Sequence, residues 1–377
     1  MKKINVLVDF SYTTFVAEGA VSVHIYVGRL LAGLANSDIL NPIVLSWPGT
    51  EDYIDSLAGF KTEKIVIDSK NSVRISRKVD RFLGLIPFEE ELKAKHIDIV
   101  ITPQFSPYMF FYPKKYHQIL VVHDLIMAHS FLKEKRYYHP FMQWLAAKRV
   151  PHIISISQYT RKDLMQYSGR DSTVIHNSIP FDFQVPEQPI EETQGQRFIL
   201  NVNHFSGHKN HNTLIQALNI LRNEIPHKLY LKGYKPRENN IEELKVLVTQ
   251  LGLEDRVTID TSNRSEAEMR WLYTHADLFV TPSVIEGFGW TPIEAAVLKT
   301  PVLVSDIPAL REVTCGRIET FDPHSPKQLA EKILNKISSP DSDDKLEELS
   351  QFFLEEYSLD TQIWQFTDVI LKALGRK

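Results

Sequence analysis

Residues 278–296 read LFVTPSVIEGFGWTPIEAA, an apolar run followed by a turn with two glycines and a helix-like segment. The apolar run predicts a buried strand, so the turn after it lies at the carboxyl edge of a sheet, where open α/β sheets bind ligands. Gly287 and Gly289 permit backbone conformations and close approaches that other residues do not. This stretch therefore predicts a parallel α/β sheet with a ligand site at the turn.

The helix start after this turn suits an anion, and two carboxylates flank it. We expect Thr291 to cap the helix, with Pro292 in its first turn and Glu294 at the capping-box position. Backbone amides at a helix start favour phosphate, whereas Glu286 and Glu294 are good acceptors for hydroxyl groups. A phosphate joined to polyols, as in a nucleotide sugar, uses both features. A capping box beside a pair of loop glycines is the simpler interpretation of the same residues.

Short apolar runs and helix-like stretches alternate over almost the whole chain. They predict an N-terminal α/β domain at residues 1–179, which includes helices at 21–35 and 73–94. A proline-containing, polar linker at 180–196 precedes a second α/β domain at 197–356, and a last helix follows at 357–377. Two doubly wound domains that face a central cleft are therefore expected.

Length and composition agree with a two-domain protein of the cytoplasm. The chain has 377 residues, 43% of them hydrophobic and 24% charged, and a single core rarely serves so many residues. Its net charge of −4 provides no basic field for nucleic acid. The single cysteine, Cys315, excludes a disulfide within the chain and favours a reducing compartment. No apolar run approaches the roughly 20 residues that span a bilayer, so a cytoplasmic location is expected.

Further motifs carry a resemblance to a known family. The segment after Glu294 continues into PVLVSDIPALREV at 301–313, and GHKN at 207–210 precedes TLIQA at 213–217. The first half contains VHDL at 122–125 and ISQYTRKDL at 156–164. With these motifs the chain resembles the retaining glycosyltransferases of family GT4 over residues 1–320. The resemblance implies the GT-B fold, with the final helix crossing back to the first domain, and we expect Trp364 and Phe366 to anchor this helix. It also implies transfer of a hexosyl group from a nucleoside diphosphate sugar to an acceptor hydroxyl.

The resemblance implies a role for each matching residue of the Glu286–Glu294 segment. Glu286 is expected to contact hydroxyls of the donor sugar, and Glu294 to contact the ribose. The backbone amides near Gly287, Phe288 and Gly289 are expected to meet the sugar or the diphosphate.

Lys209 is expected to neutralise the diphosphate, because a cation there stabilises the charge that develops on the leaving group. The family often places an arginine in the same loop, but this chain has Asn203-His204 and His208 instead. A second fixed cation is therefore missing. His204 or His208, when protonated, or Arg264 from a later loop could take its place.

Two residues of the first domain complete the predicted site. The resemblance implies that His123 faces the donor sugar, near a distal hydroxyl. The simpler interpretation is a strand-end histidine that is bonded to its neighbour. Gly19 lies in the loop that approaches the diphosphate and acceptor in the family. This loop lacks the Gly-x-Gly-x-x-Gly fingerprint, which argues against a nicotinamide enzyme. Glu286, His123 and Lys209 are the predicted catalytic residues.

Two charged regions have more than one interpretation. The cluster at residues 341–344 imitates the Asp-x-Asp of metal-dependent sugar transferases, but it precedes a helical pattern, so helix capping explains it and no metal site is predicted. Basic residues at 74–81, an apolar turn at 82–88 and a basic, aromatic segment at 133–138 favour peripheral contact with an anionic membrane. An amphipathic helix with a solvated face explains them equally well.

Donor and acceptor are suggested only by resemblance. The form His123-Asp124-Leu125 resembles transferases of polysaccharide and O-antigen assembly, many of which use GDP-mannose, so a saccharide or lipid-linked saccharide acceptor is expected. No cofactor is predicted. Two other functions also fit the sequence, a catalytically silent nucleotide-sugar binder and an epimerase of the same architecture. A phosphorylase would need a pyridoxal-binding lysine, for which the sequence offers no context.

Overall fold

The computed structural model describes residues 2–11, 21–67, 89–110, 112–133, 137–179, 185–233 and 239–376. The chain divides into two compact units. Unit 1 comprises Met1–Ser178 together with Leu359–Lys377, and unit 2 comprises Ile179–Ser358.

Unit 1 is built on a parallel sheet with the strand order β3-β2-β1-β4-β5-β6-β7. Its strands are β1 (Ile4–Asp9), β2 (Leu40–Ser46), β3 (Glu63–Val66), β4 (Ile99–Thr102), β5 (His117–Val122), β6 (His152–Ser155) and β7 (Thr173–Val174). The helices described between them are α1 (Val21–Ala35), α2 (Glu51–Ala58), α3 (Glu89–Ala94), α4 (Ile126–Lys133), α5 (Tyr138–Arg149) and α6 (Gln158–Ser168).

Unit 2 repeats this architecture, with the strand order β10-β9-β8-β11-β12-β13. Its strands are β8 (Phe198–Val202), β9 (Lys228–Lys232), β10 (Val257–Asp260), β11 (Leu278–Thr281), β12 (Val302–Ser305) and β13 (Glu319–Phe321). Its helices are α7 (His211–Ile220), α8 (Asn239–Leu251), α9 (Glu266–His275), α10 (Trp290–Val297), α11 (Pro308–Val313), α12 (Pro326–Ser338) and α13 (Asp343–Glu356).

The centre of the second sheet positions the candidate site. All four residues of β11 and of β12 are buried, as expected for parallel strands covered on both faces. Strand β11 pairs with β8, so the strand order reverses direction between these two neighbours. The loops that leave such a switch point diverge and open a crevice at the carboxyl edge of the sheet.

The last helix, α14 (Leu359–Ala373), belongs to unit 1 and packs against α1. Gly33 makes this approach possible, because a Cβ there would lie 2.2 Å from Cγ1 of Ile363. Phe366 and Trp364 were both expected to anchor this helix. Phe366 is fully buried, but Trp364 is 71% exposed, so the expectation was wrong for the tryptophan.

Several elements differ from the sequence-based expectation. Of the long helix predicted at 73–94, the structure describes only α3, and residues 68–88 lie outside the described ranges. Helices α2, α4 and α5 were not predicted. In α5 Ala146 and Ala147 are buried whereas Phe141 and Trp144 are exposed, so these side chains do not form the apolar stripe that reveals a surface helix. Among the residues that the structure describes, no helix has the length and apolarity needed to cross a bilayer.

Candidate functional site

The loops that follow β8 and β11 bring Lys209 and Glu286 into direct contact. Nζ of Lys209 lies 2.6 Å from Oε1 of Glu286, and the two side chains are only 12% and 9% exposed. The hydroxyl of Ser283 donates a second hydrogen bond to the same oxygen, at 2.7 Å. A cation and a carboxylate predicted from separate motifs therefore meet at the switch point of the sheet.

Backbone contacts hold the two loops against each other. The Val284 amide donates to the His208 carbonyl at 2.9 Å. Asn210 adopts a left-handed conformation with φ 57°, and its side-chain amide donates to the carbonyls of Pro282 and Pro323 at 3.0 and 2.7 Å. The Ser305 hydroxyl donates to the Ser283 carbonyl. With four segments joined in this way, the Lys209–Glu286 pair rests on a preorganised frame.

The helix after the turn begins differently from the prediction. Its N-cap is Gly289, with φ 101°, and no side chain caps it. Thr291 is already the second helical residue, so the predicted capping box was wrong. A Cβ on residue 289 would lie 2.6 Å from Cδ2 of Leu310. Glycine is therefore required here for both conformation and space.

Glu294 lies in the second turn of α10, where it is 9% exposed. The Tyr273 hydroxyl donates to its Oε2 at 2.5 Å. Burial raises the pKa of Glu294 to about 7, and the charge of Glu266 adds to this, while the bond from Tyr273 opposes it. Charged and neutral forms of Glu294 therefore coexist near neutral pH.

The two candidate histidines are half-buried beside Lys209. Burial lowers the pKa of His208 to about 4, the charge of Lys209 lowers it further, and Glu286 acts in the opposite direction. The pKa of His204 is lowered by the same causes. Both rings are therefore neutral near pH 7 in the free protein, and neither replaces an arginine as a permanent cation.

Arg264 has strong partners of its own. Its guanidinium donates to Asp260 at 2.8 Å, to Glu268 at 3.0 Å and to the Tyr230 hydroxyl at 3.3 Å. Its side chain is 16% exposed. These bonds use three of the five N–H donors of the guanidinium, and the donor-binding role of Arg264 stays a prediction.

His123, in unit 1, follows the last residue of β5. Its Nε2 donates to the Pro103 carbonyl at 3.0 Å, and its ring meets the Tyr26 ring edge-on at 4.7 Å. Burial lowers the pKa of His123 to about 4, against the opposing effect of the Pro103 carbonyl. The ring is thus neutral, with the proton on Nε2. The predicted Gly19 lies outside the described residues.

Sequence reasoning missed two residues that hold the site. Ser283 stands three positions before Glu286, and a hydroxyl directly after a buried strand is a signal that could have identified it. Tyr273 lies on α9, and no spacing in the sequence connects it with Glu294. Only the packing of α9 against α10 brings the two together.

The acidic cluster at 341–344 behaves as predicted. The Ser342 hydroxyl accepts from the Lys345 amide and caps α13, while Asp341 pairs with Lys336 at 2.7 Å and also with Lys345. The capping interpretation is therefore confirmed. In the part of the chain that the structure describes, no three or more His, Cys, Asp or Glu side chains are grouped as metal ligands.

Known proteins resemble this chain in sequence and in fold. Residues 183–351 match the family model for glycosyl transferases group 1, and residues 25–183 match that for glycosyltransferase family 4. The O-antigen chain mannosyltransferase RfbU of Salmonella typhimurium is 29% identical over 60% of this chain and 62% of RfbU. The match therefore spans less than two thirds of the length of that relative.

Two solved structures share the fold at low sequence identity. A glycosyltransferase from Rickettsia africae superposes with a TM-score of 0.74, at 19% identity over 100% of both chains. HepE of Anabaena in complex with UDP-glucose gives a TM-score of 0.73, at 15% identity over 98% of this chain and 100% of HepE. With its two parallel sheets, the chain has the predicted GT-B fold. The two family models together match residues 25–351, so the chain is similar to glycosyl transferases group 1 in its second half and to glycosyltransferase family 4 in its first, as its motifs indicated.

Proposed function

We propose that this protein is a retaining glycosyltransferase. It transfers a hexosyl group from a nucleoside diphosphate sugar to an acceptor hydroxyl in the assembly of surface polysaccharide or glycolipid. The observation that carries the proposal is the Lys209–Glu286 pair at the switch point of the second sheet. Its similarity to these two glycosyltransferase families and the name of RfbU, an O-antigen chain mannosyltransferase, support it.

Each residue of the pair has a separate task in this proposal. Lys209 leaves Glu286 and neutralises the diphosphate of the donor, together with the first-turn amides of α10. Glu286, still held by Ser283, then accepts hydrogen bonds from hydroxyls of the donor sugar. Charge stabilisation at the leaving group is the largest contribution that a rigid site makes to such a reaction.

Glu294 and His123 contact other parts of the donor in this proposal. The carboxylate of Glu294 accepts hydrogen bonds from the ribose hydroxyls. Because the Nε2 proton of His123 is donated to Pro103, its Nδ1 is the ring atom that would accept a hydroxyl of the sugar. The backbone near Gly287, Phe288 and Gly289 contacts the sugar or diphosphate.

The transfer itself needs one bond to form and one to break at the anomeric carbon. The acceptor oxygen attacks from the face that the diphosphate leaves, so the configuration is retained. The departing phosphate oxygen takes the proton of the acceptor hydroxyl. The side chains named above orient the reactants and stabilise charge, and none forms a covalent bond with the sugar. We expect activity without an added metal ion, which an assay in excess chelator would check.

The donor follows from similarity only. The name of RfbU favours a mannosyl donor, for which GDP-mannose is our first choice, whereas HepE was solved with UDP-glucose. Thermal denaturation in the presence of UDP-, GDP-, ADP- and dTDP-sugars would identify the donor. A ligand at a hundred times its Kd stabilises the native state by about 2.7 kcal/mol, which raises the Tm of a domain of this size by about 5–10 °C.

Product analysis then decides between the proposed function and its alternatives. Incubation of the stabilising donor with saccharide or lipid-linked saccharide acceptors should give a glycoside with a retained anomeric configuration. Binding without turnover would identify a catalytically silent nucleotide-sugar binder. A changed nucleotide sugar formed without acceptor would identify an epimerase. An inverted product would overturn the retaining mechanism.

We also propose that the enzyme acts in the cytoplasm at the inner face of a membrane, in peripheral contact with it. Residues 74–81 and 82–88, which suggested this contact, lie outside the described residues. Fractionation of cells with and without a high-salt wash tests the location, because peripheral contacts with anionic lipid weaken at high ionic strength.

A further inference from the structure

Two aromatic side chains of α5, and the one at the residue before it, are exposed to solvent. Tyr137, Phe141 and Trp144 are 60%, 56% and 37% exposed, whereas Ala146 and Ala147 are fully buried in the core of unit 1. An ordinary surface helix has the opposite arrangement. These aromatic rings therefore add little to the stability of the fold.

Tyr137, Phe141 and Trp144 lie on one side of the helix, and we call this side the aromatic face. At 3.6 residues per turn, positions 137, 141, 144 and 148 fall within roughly 60° of one another around the helix. The rings of Phe141 and Trp144 are stacked, with centroids 6.0 Å apart and an angle of 23°. Nζ of Lys148 lies 5.7 Å from the centre of the Trp144 ring. The aromatic face thus ends in a cation.

The two helices next to and carrying the aromatic face, α4 and α5, are basic, although the whole chain carries −4. Helices α4 and α5 contain no acidic residue. Their basic residues Lys133, Lys148 and Arg149 are all exposed. Aromatic side chains that cluster next to cations on an acidic protein indicate a contact surface, whereas single exposed apolar side chains distributed over a surface do not.

We propose that the aromatic face docks on an anionic lipid bilayer. Tryptophan and tyrosine rings are favoured at the boundary between headgroups and acyl chains, and lysine and arginine beside them are attracted to anionic headgroups. The inference rests on the membrane contact of the proposed function and deepens it by naming α5 as the surface that meets the bilayer.

Two other occupants fit the aromatic face less well. A second copy of the chain in a two-fold contact would place Lys148 and Arg149 close to the same residues of its partner. A saccharide needs carboxylate or amide groups beside the rings. Helix α5 has no carboxylate, and the Oε1 atom of its amide residue Gln143 is buried.

The test uses the full chain with vesicles of phosphatidylcholine, with and without phosphatidylglycerol, in a flotation assay without donor. Wild-type protein is expected to float with the anionic vesicles at about 0.05 M NaCl and to be released at about 0.5 M. The double change Phe141→Ser with Trp144→Ser should weaken binding about tenfold, because both rings lose their apolar contact. Lys148→Ala with Arg149→Ala should weaken it about thirtyfold.

Trp364→Ser is the matched control. Trp364 is 71% exposed on α14, but Asp360 and Asp368 stand one turn away on either side, so its loss should not change vesicle binding. Wild-type protein that fails to bind anionic vesicles at low salt would overturn the inference. Equal loss on Trp364→Ser, or self-association that Phe141→Ser with Trp144→Ser abolishes in the absence of vesicle binding, would also overturn it. Because no donor is present, these outcomes leave the proposed transfer reaction untouched.

Discussion

Glu286→Gln separates the two tasks assigned to the Lys209–Glu286 pair. The change keeps the size of the side chain and an oxygen that accepts from Ser283, but it removes the charge that lies 2.6 Å from the ammonium group of Lys209. Transfer should fall strongly, because a neutral amide binds the hydroxyls of the donor sugar less tightly. The free energy of unfolding of the ligand-free protein should also fall, because the largely buried ammonium group of Lys209 loses its partner.

The size of this loss of stability follows from the burial of the Lys209–Glu286 pair. Removing one partner of a buried ion pair costs about 3–5 kcal/mol, and the 12% and 9% exposure of these side chains places the pair near the lower end. We expect a loss of about 3 kcal/mol, or a fall of about 6–12 °C in the Tm of unit 2. A nucleoside diphosphate supplies a new counter-charge to Lys209, so its affinity should be unchanged or up to about tenfold higher.

Differential scanning calorimetry and titration calorimetry with GDP and UDP measure both quantities. Glu347→Gln is the matched control, because Glu347 pairs with Lys299 in the same unit but both side chains are about half exposed, at 47% and 53%. Such a surface pair contributes less than about 1 kcal/mol. If Glu286→Gln is no more destabilising than Glu347→Gln, or if diphosphate affinity drops tenfold, our account of the pair is wrong.

Three further changes probe the same site. Lys209→Met should weaken nucleoside diphosphate binding by about a hundredfold, and titration calorimetry that finds wild-type affinity would exclude a phosphate role. Burial raises the pKa of Glu294 from 4.5 to about 7. The contribution of the protonated Glu294 side chain to the free energy of unfolding is therefore complete below pH 4.5 and is lost as the pH rises through 7. Urea denaturation at several pH values should therefore show wild type losing about 3 kcal/mol relative to Glu294→Gln in this window, and parallel curves would refute the assignment. Gly289→Ala should destabilise by about 2 kcal/mol because of its positive φ and the contact with Leu310; Gly207→Ala, with open space around it, is the control, and equal Tm values would contradict the strain.

The turn at residues 282–289 could be placed from its sequence because strand and helix signals are local. An apolar run such as Leu278–Val280 is stable as a strand only when both faces of the sheet are covered. The segment after it must then leave the sheet at its carboxyl edge. The same reasoning applied to Phe198–Val202 placed Lys209 at that edge as well. The sheet class and the placement of Lys209 and Glu286 at the carboxyl edge could therefore be predicted from the sequence.

Contacts between segments far apart in the chain could not be predicted from the sequence in the same way. The sequence suggested a capping box at Thr291, but the close approach of Leu310 and the positive φ of Gly289 start the helix at Trp290. The pKa of Glu294 depends on its burial and on Tyr273, which lies on another helix. Likewise, the partners of Arg264 come from the ends of two elements, β10 and α9.

The contrast has a simple physical origin. Apolar runs, glycines and charged residues report conformational preferences that act within a few positions of the chain, so they determined the α/β class and the candidate ligand turn. Distances such as the 2.6 Å between Lys209 and Glu286, and the exposure of the aromatic face on α5, arise from packing between segments far apart in the chain. Such packing depends on the shape of the whole unit, and only the folded structure could reveal it.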